Sequence, residues 1–308
     1  MRSAFFTVQR FMVYLGVDGG GTKTRVVAGD ENKNIILKET GETINFYSVG
    51  MKKARENFKS IIDRVSKKLG VCEFESVFIG SSALECEADE KTIRDFTHGI
   101  LKAKKIGMNS DLFVALKSAK CDGAKIVVIS GTGSMATGED EKGNISKRGG
   151  WGHILGDEGS AYSISLSLLK KAVKEYDNSR SETLISEICE KSGVDDFSQL
   201  TDFIYSENTT KEKIASLSVL VDQKAQKGDL LCSEILKSEC EALFETVKPL
   251  VCLLGENTPV FLYGGVFQNS AFFRNEFISL VNNDFPDIDV SLLDTPPENG
   301  ALFESYKL

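Results

Sequence analysis

The sequence lacks the features that define several protein classes. Its 308 residues contain only two His and no Cys-x-x-Cys pair, so a zinc site has few ligands to draw on. The seven Cys are an odd number, and most lie among apolar residues of helical pattern, which favours reduced thiols in the cytoplasm over a disulfide framework. No run of about 18 apolar residues is present, so no membrane span is expected.

Positive charge is also scarce. The 37 Lys and Arg residues are outnumbered by 45 Asp and Glu, and the formal net charge is −8. This balance disfavours a nucleic acid or an anionic membrane as the main partner. Phosphate groups remain possible ligands, because backbone N–H groups bind anions without net positive charge. The length suits two domains of an ordinary globular protein.

Two stretches of the chain follow the same pattern. Residues 12–39 and 125–148 each consist of an apolar strand, a Gly/Thr/Ser turn, a second strand, an acidic turn and a short third strand. They start roughly 110 residues apart and indicate an internal duplication. Strands alternating with helices predict an α/β fold, and the repeat predicts two similar domains that face each other across a ligand-binding cleft.

Patterns of apolar residues predict the other elements. Strands are expected at residues 76–80, at 259–265 and around Asp289. Helices are expected over residues 50–69, 87–104, from Asp111, 158–176, 211–227, 229–254, 269–282 and after Gly300.

The first glycine-rich turn lies in LGVDGGGTKT, residues 15–24. Three consecutive glycines allow the backbone to approach a ligand closely, and successive N–H groups can bind phosphate. Asp18 at the strand end is suited to hold Mg²⁺ directly or through water. The Walker A pattern is absent, and a plain hairpin turn is the alternative interpretation.

The second turn lies in ISGTGSMA, residues 129–136, and formally matches the dinucleotide fingerprint G-x-G-x-x-A. That fingerprint requires a helix directly afterwards, whereas the turn-forming residues TGEDEKGN follow here. A second phosphate-binding hairpin is therefore the better interpretation.

Three further stretches carry candidate functional residues. Asp111 begins a predicted helix, where it either stabilises the helix end or acts as a general base. Gly264 and Gly265 either form a strand-to-helix turn or allow the backbone to lie against a planar base. GGWGHILGDEGSAY, residues 149–162, holds the only Trp, one of the two His and five glycines. It suits a loop that binds a small polar molecule, or an ordinary turn before a helix.

Taken together, DGGGTKT, ISGTGS, GGWGHILGDEGSAY and YGGVF resemble the N-acetylglucosamine kinases of the wider BadF/BadG/BcrA/BcrD ATPase family, from about Met12 to the C-terminus. The resemblance implies two actin-like (ribonuclease H-like) α/β domains with a central cleft. Residues 12–115 would form the N-terminal domain, with the helix at about 298–308 packed back on it, and 116–297 the C-terminal domain. Residues 1–11 are expected to be an N-terminal extension.

The resemblance also implies roles for residues at matching positions. Asp111 would be the catalytic base and would also contact the substrate, and Asp18 would lie near Mg²⁺. ATP would be bound by Gly19, Gly20, Gly21, Thr22, Lys23, Gly131, Thr132, Gly133, Ala215, Gly264, Gly265 and Gln268. The sugar would be bound by Asn45, Ser134, Gly150, Trp151, Gly152 and Asp157, whereas His153 would be structural and Glu158 would start the next helix.

The implied activity is ATP-dependent phosphorylation of the 6-hydroxyl of N-acetylglucosamine, N-acetylmuramic acid or both, by a cytoplasmic homodimer. Met135 and Tyr47 depart from the family pattern at substrate positions and leave the sugar open, including glucosamine. N-acetylmuramic acid would need a cation such as Lys23, Lys147 or Arg148. An ATPase activator of a 2-hydroxyacyl-CoA dehydratase is disfavoured, because Cys121 is too far from the second turn to be its cluster ligand. A sugar-responsive regulator is disfavoured by the lack of a helix-turn-helix extension.

Overall fold

The computed structural model describes residues 12–179 and 182–308, and the predicted extension at residues 1–11 lies outside this part of the chain. The chain divides into two compact units. The first unit contains the residues up to Lys120 together with Asp294–Leu308, and the second unit contains Cys121–Leu293. Within the described ranges, no helix has the length and apolar character needed to cross a membrane.

Each unit contains one five-stranded sheet. The strands of the first unit are β1 (Tyr14–Gly19), β2 (Lys23–Gly29), β3 (Ile35–Glu42), β4 (Phe74–Ser81) and β5 (Ala103–Ser110). The strands of the second are β6 (Lys125–Ser130), β7 (Ser134–Glu139), β8 (Ile145–Gly149), β9 (Val260–Tyr263) and β10 (Val290–Leu292).

Helices cover the sheets. They are α1 (Phe46–Val49), α2 (Met51–Leu69), α3 (Glu90–Thr97), α4 (Asp111–Ser118), α5 (Ala161–Asp177), α6 (Glu182–Ser192), α7 (Leu200–Tyr205), α8 (Lys211–Ala215), α9 (Ser218–Gln226), α10 (Leu230–Leu254), α11 (Gly265–Asn269), α12 (Ala271–Asp284) and α13 (Pro297–Ser305). A short 3₁₀ turn, Phe197–Gln199, precedes α7.

The two sheets have the same topology. Their orders are β3-β2-β1-β4-β5 and β8-β7-β6-β9-β10, with the first three strands of each antiparallel and the remaining pairs parallel. The acidic turns after β2 and β7 are also alike. Asp30 accepts hydrogen bonds from the Asn34 backbone and side chain, and Asp140 accepts the same pair from Asn144. The predicted internal repeat is therefore present in the strand order and also in the Asp and Asn residues of the two acidic turns.

In the first unit, the sheet is packed on both faces. Leu15 and Val17 of β1 point into a core that includes Phe58 and Ile61 of α2. On the other face Gly16 lies directly under α13, since a Cβ there would lie 2.2 Å from the backbone nitrogen of Leu302. Because side chains alternate along a strand, Asp18 emerges on the same face as Gly16.

In the second unit, the 25-residue helix α10 runs beside the sheet and contributes the largest share of the core. Its buried side chains include Ile235, Leu243 and Val247, which pack in one cluster with Val128 of β6 and Leu168 of α5. This helix matches the predicted span closely, because its apolar positions recur with helical periodicity.

The predicted helix over residues 87–104 is wrong in its second half. Helix α3 ends at Thr97, Gly99 has φ +76°, and the chain then enters β5. This strand lies at the sheet edge and is only partly buried, so it lacks the alternating apolar pattern that marks strands. Parallel pairing with β4 holds it in place, and that pairing is a long-range contact.

Other predicted spans are corrected in detail. The predicted helix at 211–227 is two helices, α8 and α9, and most of the one at 269–282 is α12. Ser270 caps α12 by accepting a hydrogen bond from the backbone N–H of Phe273. The last helix begins at Pro297 rather than after Gly300, and α6 and α7 were not predicted.

Candidate active site

The first glycine-rich turn joins β1 to β2 immediately after Asp18. Gly19 is buried against the side chain of Ile44, where a Cβ would lie 2.5 Å from it. Gly21 has open space around it, and Thr22 and Lys23 are exposed. The hydroxyl of Thr43 donates to the Gly20 carbonyl at 2.8 Å and fixes one side of the turn. The turn is thus anchored at its start and accessible at its tip.

Asp18 is a buried carboxylate in an acidic environment. Burial, helped by the negative charges of Asp111 and Glu298, raises its pKa from an ordinary 3.8 to about 7. The guanidinium of Arg25, 3.4 Å from Oδ2, acts in the opposite direction. Asp18 lies near the end of β1, and Asp111 and Glu298 lie in the first turns of α4 and α13.

Asp111 is the first residue of α4 but is not its cap. The hydroxyl of Ser110 accepts the hydrogen bond from the Phe113 backbone N–H, and Ser110 therefore fills the capping role. Burial raises the pKa of Asp111 to about 6, although backbone N–H groups at the helix start partly oppose this shift. A carboxyl with a pKa near neutrality that the helix does not need as a cap suits general-base chemistry.

The acidic residues near Asp18 can offer a divalent cation one or two carboxylate ligands. The Arg25 guanidinium lies beside Asp18, and the Oε2 atom of Glu298 is buried without a hydrogen-bond partner. Across residues 12–179 and 182–308, no three His, Cys, Asp or Glu side chains are grouped closely enough to hold a metal. Mg²⁺ suits such a place because it keeps several waters and takes ligands from phosphates besides one or two carboxylates.

The side chain of Asn45 is fixed by three hydrogen bonds. Its Oδ1 atom accepts from the backbone N–H groups of Tyr47 and Ser48 and so caps α1, and its Nδ2 atom donates to the Ser82 hydroxyl at 2.9 Å. Ser82 lines a groove of about 540 Å³ whose other lining residues include Tyr47 and the acidic residues Glu85, Glu87 and Asp89. The capping contacts had no clear signal in the sequence, because α1 is only four residues long.

The second glycine-rich turn joins β6 to β7 and is bound to the 149–162 stretch. The backbone N–H of Ala161 donates to the Gly131 carbonyl at 2.8 Å. The hydroxyls of Ser130 and Ser134, which flank the turn, donate to the carbonyls of Gly159 and Glu158. These contacts bring two separate sequence motifs into one structural unit. The Ser160 hydroxyl accepts a hydrogen bond from the backbone N–H of Ser163 and caps α5, so Glu158 does not start the helix as predicted.

The Gly264–Gly265 turn lies next to the second glycine-rich turn. Gly264 has φ +106°, and a Cβ on it would lie 2.2 Å from the carbonyl oxygen of Ser130. Gly265 begins α11, and the backbone N–H of Gln268 donates to the Gly264 carbonyl. Ala215 is buried at the end of α8, where its carbonyl accepts a hydrogen bond from Ser165.

Residues 150–160 of the 149–162 stretch form a loop between β8 and α5, and several of them, among them Gly150 and Gly152, have a left-handed backbone. Trp151 is 70% exposed, with the Lys147 ammonium 5.8 Å from its ring centre. Within the second unit its indole therefore contacts little apolar surface. His153 packs edge-on against the ring of Tyr162, which agrees with a structural role.

Asp157 is the most constrained residue of this loop. It has φ +65°, is only 4% exposed, and its Oδ2 atom lies 2.6 Å from the Nζ atom of Lys211. Its Oδ1 atom accepts a hydrogen bond from the backbone N–H of Ser134 at 3.4 Å. Sequence reasoning missed Lys211, which lies 54 residues away on α8.

The repeated sheets, each with a glycine-rich turn between its first two antiparallel strands, define an actin-like ATPase fold of the sugar-kinase type. A solved structure from Chromobacterium violaceum, described as a candidate N-acetylglucosamine kinase, superimposes with a TM-score of 0.78 over 95% of this chain and 98% of that one, at 20% identity. The predicted fold class is confirmed.

The chain belongs to the BadF/BadG/BcrA/BcrD ATPase family, whose sequence profile matches residues 15–302. The predicted family membership is confirmed. The N-acetylmuramic acid/N-acetylglucosamine kinase of Clostridium acetobutylicum is 31% identical over 94% of this chain and 96% of that protein. The N-acetyl-D-glucosamine kinase of Dictyostelium discoideum is 28% identical, with the same coverage.

Proposed function

We propose that the protein is an ATP-dependent amino-sugar kinase that phosphorylates the 6-hydroxyl of N-acetylglucosamine, N-acetylmuramic acid or both. The observation that carries the proposal is Asp111, a carboxyl with a pKa raised to about 6 that helix α4 does not need as a cap. Similarity over almost the whole chain to two curated amino-sugar kinases supports the same reaction.

In this reaction, Asp111 accepts the proton of the sugar hydroxyl. The sugar oxygen forms a bond to the γ-phosphorus while the bond from that phosphorus to the bridging oxygen of ADP breaks. Asp18 would hold Mg²⁺, which supplies charge neutralisation at the phosphates when bound. The protein's contribution is mainly orientation and electrostatic stabilisation.

Glycine-rich backbone supplies most of the proposed nucleotide contacts. In the first unit the accessible tip of the turn after β1 binds phosphate, aided by Thr22 and Lys23. In the second unit the nucleotide contacts come from Gly131, Thr132, Gly133, Ala215, Gly264, Gly265 and Gln268. The proposed sugar contacts are Asn45, Ser134, Gly150, Trp151, Gly152 and Asp157. A cytoplasmic homodimer is part of the proposal.

Two alternatives predict different substrates. A glucosamine kinase would phosphorylate the free amine form in preference to the N-acetylated sugars. A dehydratase activator would bind an iron–sulfur cluster, and the buried strand β6 that leads to the second turn presents apolar residues rather than a Cys.

The test is a coupled assay of ADP release with Mg-ATP against N-acetylglucosamine, N-acetylmuramic acid, glucosamine, N-acetylmannosamine and glucose. We expect turnover that depends on an N-acetylated amino sugar. Direct detection of the phosphorylated sugar by mass spectrometry excludes ATP hydrolysis as the source of ADP. If no sugar of the panel causes ADP release although the protein binds nucleotide, the proposed kinase activity is contradicted.

A further inference from the structure

The ion pair between Lys211 and Asp157 lies directly against the second glycine-rich turn. A Cβ on Gly133 would lie 2.8 Å from the Oδ2 atom of Asp157, the same atom that Lys211 contacts. The other carboxylate oxygen accepts the backbone N–H of Ser134 at the end of the turn. The carboxylate of Asp157 is therefore in contact with the backbone that is proposed to hold phosphate.

This placement creates an electrostatic conflict. A buried carboxylate beside an anion-binding turn repels a polyphosphate, and low exposure weakens solvent screening of that repulsion. The Lys211 ammonium lies 2.6 Å from the Oδ2 atom of Asp157 and neutralises the negative charge beside the turn. Without it, Asp157 would oppose the ligand that the neighbouring backbone is suited to bind.

The ammonium of Lys211 is held from a second side. It lies 5.8 Å from the ring centre of Tyr162, in the first turn of the helix α5 that follows the loop carrying Asp157. The side chain is 27% exposed, so it contacts Asp157 and Tyr162 and also reaches solvent. A cation fixed in this way orients the carboxylate as well as neutralising it.

We propose that Lys211 is a positioning residue that neutralises Asp157 beside the second glycine-rich turn, so that one loop can bind a sugar through a carboxylate and tolerate nucleotide phosphates next to it. The inference rests on the proposed function, because it takes the turn to be a phosphate site. In this arrangement Asp157 binds the sugar. Lys211 offsets the charge of Asp157, which would otherwise weaken nucleotide binding.

Four variants test the proposal: Lys211→Met, Lys211→Arg, Asp157→Asn, and the double variant Lys211→Met with Asp157→Asn. Binding of Mg-ADP is measured by calorimetry, and the KM for N-acetylglucosamine in the coupled assay. Lys213→Met is the matched control, because Lys213 is an exposed cation on the same helix and its ammonium donates to the Asn208 carbonyl rather than to a carboxylate.

We expect Lys211→Met to weaken Mg-ADP binding by about tenfold or more, because the carboxylate is left uncompensated. The double variant should regain most of that affinity, while its KM for the sugar stays raised as in Asp157→Asn alone. Lys211→Arg should retain binding, since the positive charge remains, and Lys213→Met should resemble the unchanged protein.

The outcomes separate the inference from the proposed function. If the unchanged protein binds Mg-ADP and Lys211→Met binds it equally well, the inference is overturned and the kinase proposal stands. Failure of the double variant to regain affinity also overturns it, because a purely structural role for Lys211 predicts no rescue. If the unchanged protein binds no nucleotide at all, both proposals fail. Should Lys211→Met not fold, Asp157→Asn still decides. Tighter Mg-ADP binding than in the unchanged protein supports the inference, because the Lys211 charge is then no longer cancelled, and unchanged or weakened binding contradicts it.

Discussion

Replacing Asp111 with Asn should remove activity and stabilise the fold at alkaline pH. The carboxyl has a pKa of about 6 in the folded protein against an ordinary 3.8, so folding favours its neutral form. The stabilisation that this neutral form provides is complete below the unfolded pKa and is lost as the pH rises through the folded pKa. Asn is neutral at every pH and keeps an oxygen that can accept the backbone hydrogen bonds at the start of α4.

The expected gain in the free energy of unfolding follows from the pKa shift of Asp111. A change of roughly two pKa units corresponds to at most about 3 kcal/mol, and partial exposure of the side chain reduces the expected gain to about 1–2 kcal/mol. This gain should appear at about pH 8 and shrink towards zero at about pH 4. Removing the negative charge of Asp111 also lowers the pKa of Asp18, which adds to the gain at alkaline pH.

The assay is urea denaturation followed by circular dichroism at both pH values, together with coupled ADP release at saturating sugar. Turnover should fall by about a hundredfold or more, the usual contribution of a general base. Asp95→Asn is the matched control, because it removes an exposed carboxyl from α3 of the same unit. A variant that is less stable at alkaline pH, equally shifted at both pH values, or still active would refute the reasoning about Asp111.

Three further outcomes are expected. Turnover of the unchanged protein should decline as the pH falls through about 6, because Asp111 becomes protonated; a rate that stays flat to about pH 4 would count against the base. Gly264→Ala should cost about 2–4 kcal/mol in urea denaturation, since the new Cβ meets the Ser130 carbonyl and φ is +106°. Gly228→Ala, with φ +88° and open space around it, should cost only about 1–2 kcal/mol, and an equal loss in both would show that the contact with Ser130 is unimportant. Chelation of divalent cations should abolish sugar phosphorylation and added Mg²⁺ should restore it, so activity that persists in chelator would argue against a metal at Asp18.

Much of the fold was predictable because its signals are local. Helix α10 carries a long periodic apolar pattern, and the two glycine-rich turns and their flanking strands have the same order of residue types. The repeated sheet topology follows from that duplication. Strand β5 was missed because it is an edge strand that depends on pairing with β4, a contact invisible in a short window of sequence.

The sequence predicts which residues belong to the candidate site. It does not predict which charged side chains lie beside them. The motifs named Asp18, Asp111 and Asp157 before their surroundings were known. Only the folded chain places Arg25 beside Asp18 and Lys211 beside Asp157. Only the folded chain also gives the capping role to Ser110, which leaves the Asp111 carboxyl available for chemistry.

The sequence by itself determined the glycine-rich turns, the internal repeat and the identity of the acidic residues, because backbone freedom and side-chain chemistry belong to single residues and their neighbours. The tertiary structure decided how those acids behave. Burial raises the pKa of Asp18 and Asp111, and a lysine 54 residues away in the chain pairs with Asp157. Desolvation and ion pairing depend on which distant segments pack together, and no local pattern of residues encodes them.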